Sequence, residues 1–355
     1  MISNANPPGI VKKSEEACAK LIPSKSGERY HKEFSHFCEW KVENNVKEIT
    51  EEVMLAYFLD LSKKIGASSL WPKYSMIKST LIANENFDIS RFSKLLAFLK
   101  KQSIGHESKQ SKTLTREEMY RFMKEACTDK YLLTKVIAMI GIAGGCRREE
   151  LYNISLDDIQ ETQTQLVITI PCTKTNQRRT FTVIDEVDGI KCVELFRKYV
   201  SLRPKHVNHR MLFLGYRNSK CTVQRVGIHT IGGMPKQIAL FLGLQDPDKY
   251  TGHSFRRTSA TLLANAGADL AVLKRHGAWK SSSVAEKYIE DSLESKNKIA
   301  RMILNGETFV EVLQQQKKEV SNKTSLSNTI SSSSNYPPVN IEGNTNCTIN
   351  LNINI

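Results

Sequence analysis

Residues 131 to 142 constrain this chain more than any other stretch. Leu132, Leu133, Val136, Ile137, Met139 and Ile140 leave the segment almost wholly apolar. A helix that is apolar all round has no face to offer water, so it belongs at the centre of a domain. No run approaches the roughly 20 apolar residues of a membrane span. The domain must therefore be built around this helix.

The flanks say how. Thr115 and Glu118 stand in capping-box register before Met119, Phe122 and Met123, which predicts a preceding helix. Downstream, Gln165 to Ile170 and Thr180 to Ile184 are rich in β-branched residues, and the polar stretch Thr173 to Arg179 joins them. That pattern predicts a hairpin with a basic tip. From Ser254 the pattern returns to helices, with Gly267 and Gly277 as stops. Ser283 and Glu286 read as another capping box, just before Tyr288.

An earlier region, 29–104, has its own helical pattern. Thr50 reads as an N-cap with Glu51 and Glu52 in the first turn, where acidic groups suit the helix dipole. Val53, Met54, Tyr57, Phe58, Leu61 and Ile65 then form one apolar face. Residues 1–28 lack periodicity and read as a flexible arm, and 105–112 as a polar linker. A second folded region would span 113–305. Beyond it, 306–355 reads as a helix followed by a Ser/Asn/Thr-rich tail. Ile349, Leu351, Ile353 and Ile355 alternate with polar residues there, a period-two pattern that predicts a terminal strand. The fold class expected is mainly α with a small β-sheet or hairpin, in two domains.

Charge narrows the partners. Lys and Arg number 51 against 37 Asp and Glu, a net +14, which favours polyanions and nucleic acid first. Cys18, Cys38, Cys127, Cys146, Cys172, Cys192, Cys221 and Cys347 are scattered, without zinc spacing. They fit reduced thiols inside a cell. Met1 to Ile10 has no apolar core segment, so secretion is not expected.

Breaking and rejoining DNA without a cofactor makes definite demands. A nucleophile must hold the strand end covalently, and cations must offset charge on the non-bridging oxygens. A proton donor must reach the departing oxygen, and a base must relieve the attacking hydroxyl. The second half of the chain offers such groups in order. Arg147 lies in Gly145-Cys146-Arg147-Arg148-Glu149-Glu150, and Lys174 sits at the hairpin tip. His253 and Arg256 form an H-x-x-R at a helix start, and Trp279 precedes Tyr288 by nine residues.

These segments resemble the catalytic boxes of the tyrosine recombinase (phage-integrase) family, from about Leu114 to Leu304. The helical region before them is similar, more weakly, to that family's core-binding domain. The composition of the tail adds a narrower resemblance, to Crypton-type mobile-element recombinases or genes derived from them. The resemblance implies that Arg147 and Arg256 clamp the scissile phosphate and that Lys174 protonates the leaving 5′-oxygen. It implies that His253 acts as base, that the Trp279 indole donates to a non-bridging oxygen, and that Glu150 orients its neighbours. Tyr288 would be the nucleophile and form a 3′-phosphotyrosyl link, with no metal or other cofactor. The implied partners are double-stranded DNA and further copies of the chain, as a dimer or tetramer, with no membrane. The compartment would be the nucleus in a eukaryote and the nucleoid or cytoplasm in a bacterium.

Taken singly, each residue has an ordinary explanation. Arg147 would be a surface charge, Lys174 a loop lysine, His253 a helix cap, and Trp279 and Tyr288 core aromatics. Joint occurrence in the right order separates the two readings. His276 lies three residues before Trp279 and off the nine-residue spacing, so it is expected to be structural. Arg148, Arg178 and Arg257, with Lys94, Lys100, Lys101, Lys109 and Lys112, are expected to meet flanking phosphates. Three other functions remain open at this level, the most distant being a non-enzymatic chromatin scaffold that the terminal alternating strand would suit. The nearer two are a catalytically idle relative that binds DNA or chromatin as a regulator, and a type IB topoisomerase.

Overall fold

The computed structural model describes residues 7–106, 109–171, 178–187 and 189–306. It divides into two compact units, Met1–Gln110 and Ser111–Ile355.

The first unit is helical: α1 (Pro8–Ala19), α2 (Gly27–Glu43), α3 (Glu51–Lys64), α4 (Ala67–Glu85) and α5 (Ser93–Ser103). Thr50 caps α3, its hydroxyl accepting from the Val53 N–H at 3.4 Å. Phe37, Met54, Phe58, Ile77, Leu81, Leu95 and Leu99 are fully buried among these helices. Glu33 on α2 is buried as well and pairs with Lys73 on α4. One expectation changes: the aperiodic stretch before residue 28 contains α1, which starts on Pro8 and packs against α4. Proline suits a first helical position because its missing N–H has no partner there anyway.

The second unit is built around the apolar helix. It begins with α6 (Arg116–Glu125), which opens on the Thr115–Glu118 capping box, and continues into α7 (Thr128–Ala143). Every residue from Leu132 to Gly141 is buried. Thr134 and Lys135 are the polar members of that run, and the Lys135 ammonium donates to the Met123 carbonyl at 2.8 Å and Thr128 Oγ1 at 3.1 Å. A short helix follows, α8 (Arg148–Asn153), then strands β1 (Ile159–Glu161), β2 (Gln165–Ile170) and β3 (Arg179–Ile184). These three form an antiparallel sheet in that order, with the hairpin register running from Gln165↔Ile184 to Ile170↔Arg179. Leu166, Ile168 and Ile170 alternate inward, as period two requires.

Among the described residues there are also two small antiparallel pairs, β4 (Glu186–Val187) with β5 (Ile190–Lys191) and β6 (Leu214–Arg217) with β7 (Lys220–Arg225). Helix α9 (Cys192–Ser201) lies between those pairs in sequence and packs on α7. The chain continues through α10 (Ile228–Phe241), α11 (Ser254–Asn265), α12 (Leu270–Gly277), α13 (Ser282–Asp291) and α14 (Leu293–Asn305). The whole is α+β and mainly helical.

Two helix boundaries differ from the sequence reading. Gly277 is the last residue of α12, and the left-handed turn falls on Ala278, at φ 48°. The cap of α13 is Ser281, whose hydroxyl accepts from the Ser283 N–H at 3.3 Å. Because that helix starts earlier than expected, Ser283 lies inside the first turn and its own hydroxyl cannot cap it. The alternating residues 349–355 and the tail before them lie outside the described residues.

Candidate active site

The site forms where α7 stops. After Ala143 the chain reverses through Gly144, Gly145 and Cys146 into Arg147, the N-cap of α8. Gly145 adopts φ +52°, a left-handed conformation that glycine enters without a Cβ penalty. At Gly144 a β-carbon would meet the Phe181 ring at 2.4 Å, so only glycine lets β3 approach this closely.

That turn presents Arg147 beside Glu150. One Glu150 oxygen accepts from Arg147 Nη1 at 2.6 Å; the other accepts from the Arg147 backbone N–H at 2.9 Å and from Arg179 Nη2 at 2.7 Å. Burial would raise the Glu150 pKa, but the Arg179 charge and these hydrogen bonds outweigh it and hold the carboxyl below its ordinary value. Glu150 therefore stays ionised and fixes both guanidinium groups.

Helix α11 supplies the second arginine. His253 is its N-cap and is exposed, and Arg256 follows one turn later with only 7% exposure. Arg256 Nη1 donates to the Gly145 carbonyl at 2.8 Å, and Nη2 donates to the Gly277 carbonyl. Burial first, then the nearby Arg147 charge, pull its pKa down to about 10, against the opposing influence of Glu150 and Tyr288. It remains a cation at neutral pH, and each terminal nitrogen has a second N–H to offer.

The left-handed turn at Ala278 brings Trp279 back over this arginine. The guanidinium carbon lies 4.9 Å from the Trp279 ring centroid. Trp279 in turn stacks on Tyr288 of α13, with centroids 5.4 Å apart and planes 18° from parallel. Arg256, Trp279 and Tyr288 thus form a continuous stack, and Arg147 approaches the same guanidinium through the shared turn.

The other sequence candidates are placed unevenly. Lys174 lies outside the described residues. Arg178 is exposed. Arg148 is partly buried, its aliphatic stem against Gly232 and Gly252. Arg257 Nη1 donates to the Ser111 carbonyl at 2.7 Å, and Lys112 Nζ contacts the Gln245 carbonyl and Asp246, each at 3.1 Å. Those two side chains have part of their donor capacity engaged within the chain. Lys94, Lys100, Lys101 and Lys109 are exposed in the first unit.

Two groups at the site were not singled out as functional from sequence. Arg179 is one; it sits next to Arg178 in a polar run, where nothing distinguishes the buried arginine from the exposed one. His276 is the other, read as structural. Its Nε2 lies 2.6 Å from Ser259 Oγ, and burial, then Arg179 and Arg256, push its pKa down to about 4. It is neutral at physiological pH. Among the described residues, no three His, Cys, Asp or Glu side chains gather as metal ligands. No described helix is long and apolar enough to cross a membrane.

Residues 112–295 match the phage integrase family. Over 153 residues the chain is 29% identical to the tyrosine recombinase XerC of Caldanaerobacter subterraneus subsp. tengcongensis. That alignment covers 42% of this chain and spans 39% of the length of that curated relative. Among solved structures, a Tn1549 transposon integrase in complex with transposon right end DNA superposes with a TM-score of 0.55 at 15% identity. The match covers 82% of this chain and 99% of that one. A lambda integrase dimer bound to a COC′ core site gives 0.54 at 16% identity, over 79% and 94% of the two chains. At such identities the likeness speaks for the fold alone.

Proposed function

This chain belongs to the phage integrase family, and from that membership we propose that it cuts and rejoins double-stranded DNA through a covalent bond to Tyr288. The observation that carries the proposal is the stack of Tyr288 on Trp279 and Trp279 on Arg256, closed by Arg147 across the Gly145 turn. Arg147 and Arg256 clamp one phosphate between them, each with N–H groups suited to its non-bridging oxygens. The Tyr288 oxygen attacks phosphorus and the 5′-oxygen leaves, so one P–O bond forms as another breaks. His253 takes the tyrosine proton and Lys174 gives one to the departing oxygen. Trp279 holds Tyr288 against the clamp and donates its indole N–H to a phosphate oxygen. A 5′-hydroxyl then reverses the step, and because the phosphodiester energy is kept in the protein–DNA bond, no cofactor is consumed.

A basic chain of net charge +14 suits a DNA partner. Assembly with further copies is part of the same reading. Helix α14 leaves Ile299, Met302, Ile303 and Leu304 at the surface, a row of apolar side chains suited to a second protomer. Descent from a Crypton-type element rests on the tail composition alone.

Covalent trapping on nicked suicide DNA tests the reaction. The protein and Tyr288→Phe are incubated with end-labelled random-library DNA and separated on a denaturing gel. A retarded band in the first lane and none in the second supports the nucleophile. DNA binding without a band favours an idle, DNA-binding relative, and relaxation of supercoiled plasmid by substoichiometric protein favours a topoisomerase. Absence of binding at low salt removes the nucleic-acid reading.

A further inference from the structure

Arg178 and Arg179 are neighbours in sequence and opposites in environment. Arg178 is exposed, whereas the Arg179 side chain is 8% exposed and faces the Gly144–Arg147 turn. We propose that Arg179 is a positioning residue for DNA cleavage, holding the Glu150 carboxylate that orients Arg147 and tying the hairpin to the phosphate clamp. This rests on the recombinase reading above.

Three observations converge on it. First, the Glu150 carboxylate lies between two guanidinium groups, at 2.6 Å from Arg147 and 2.7 Å from Arg179. The oxygen that Arg179 bonds also accepts from the Arg147 backbone N–H at 2.9 Å, so Arg179 adds a second, side-chain anchor to the carboxylate that faces Arg147. Second, the two buried arginines act as parallel staples. Arg256 donates to the carbonyls of Gly145 and Gly277. Arg179 Nη1 donates to the carbonyl of Gly144 and reaches that of His276 at 3.4 Å. Consecutive carbonyls of the turn are thus bound to consecutive carbonyls at the end of α12, one pair per arginine. Third, Arg179 pairs with Ile170 at the last rung of the β2–β3 ladder before the tip segment. It therefore connects the strand that leaves the tip with the turn that presents Arg147.

The Arg179 Nε is buried without a hydrogen-bond partner among the described residues, a cost that the rest of its contacts must offset. A whole buried ion network can often be replaced by packed apolar residues at little cost in stability, whereas removing Arg179 alone would strand the Glu150 charge and the Gly144 carbonyl. What an apolar replacement of the whole network would lose is the fixed direction of the Glu150 oxygens toward Arg147.

The test uses the full chain and its Arg179→Gln, Arg179→Lys, Glu150→Gln and Arg179→Gln/Glu150→Gln variants. Gel shift reads DNA affinity, thermal melting reads the fold, and single-turnover trapping on suicide DNA reads adduct formation. Nitrogen-15 NMR of arginine Nε–H groups reads Arg147 directly, with Arg147→Lys assigning its signal. Arg179→Gln is expected to keep DNA affinity within about threefold while adduct formation slows roughly a hundredfold, the scale of a small misplacement of a reacting group. The Arg147 signal should collapse toward its solvent-averaged position. Arg179→Lys should restore part of both, and adding Arg179→Gln to Glu150→Gln should cost little more.

An unchanged Arg147 signal in Arg179→Gln overturns the proposal, as does a cleavage loss that only tracks lost DNA binding. If Arg179→Gln does not fold, Arg179→Lys carries the same readouts. If the parent protein forms no adduct at all, the recombinase reading fails, and the NMR signal still decides whether Arg179 fixes Arg147.

Discussion

The two units each bury a glutamate, and the two are held very differently. Glu33 in the helical unit bonds Lys73 through one oxygen, and its other oxygen makes no well-formed hydrogen bond among the described residues, with the buried Tyr57 hydroxyl near the carboxylate. Lys73 keeps 22% exposure, so the pair stays in touch with water. Glu150 in the second unit receives three hydrogen bonds from two arginines and is sealed from solvent by them. The first pins one helix to another. The second is the hub of a charge network whose other members are site candidates, and removing a hub strands more than one charge.

The largest effect expected from this contrast is at Glu150. Glu150→Ala leaves Arg147 and Arg179 facing each other without an anion, and should cost about 3–5 kcal/mol, the range for breaking a buried pair. Urea unfolding measures it. Replacing Glu33 and Lys73 together by Leu and Met should instead stay within about 1 kcal/mol of the parent, because no charge is stranded. A loss at Glu150 no larger than that would dissolve the comparison.

Next comes the backbone under the network. Gly144→Ala puts a methyl into the Phe181 ring, and should destabilise by about 1–3 kcal/mol as β3 is pushed off the turn. Covalent adduct formation should fall with it, whereas Glu33 variants should leave the adduct rate per bound protein unchanged.

A pH scan sharpens the same contrast. His276 takes its proton at about pH 4 in the folded protein, below the ordinary 6.5. The unfolded chain is therefore protonated first as pH falls, so this contribution is complete above pH 6.5 and is lost between 6.5 and 4. The loss should be on the order of 3 kcal/mol, and His276→Gln should flatten the profile across that window. Thermal melting at closely spaced pH values reads both. The smallest effect is Glu33→Gln alone, about 1 kcal/mol, since Lys73 can turn to solvent.

Much of the fold was written in short stretches of sequence. The cap at Thr50, the box at Thr115 and Glu118, and the apolar run of α7 depend on residues within a turn or two of one another, and they appear as read. The cap of α13 was misplaced because Ser281 and Ser283 are chemically alike, and only the entry angle of the helix chooses between them. The arm before residue 28 gave no periodic signal, since α1 gains its order from packing on α4.

The site divides along the same line. Residue types and order, read with the family resemblance that gives the nine-residue gap its meaning, named Arg147, Glu150, Arg256, Trp279 and Tyr288, which the structure gathers around one turn. They also named Lys174, outside the described residues, and the exposed His253. By itself the sequence determined the chemistry on offer and the helices that carry it, because those depend on neighbours along the chain. The tertiary structure decided that Arg179 rather than Arg178 turns inward, that Arg256 is shared between Gly145 and Gly277, and that His276 stays neutral. Arg256 and Gly145 stand 111 residues apart. The physical reason is that an arginine goes where unpaired carbonyls converge, and that convergence exists only once distant segments have packed.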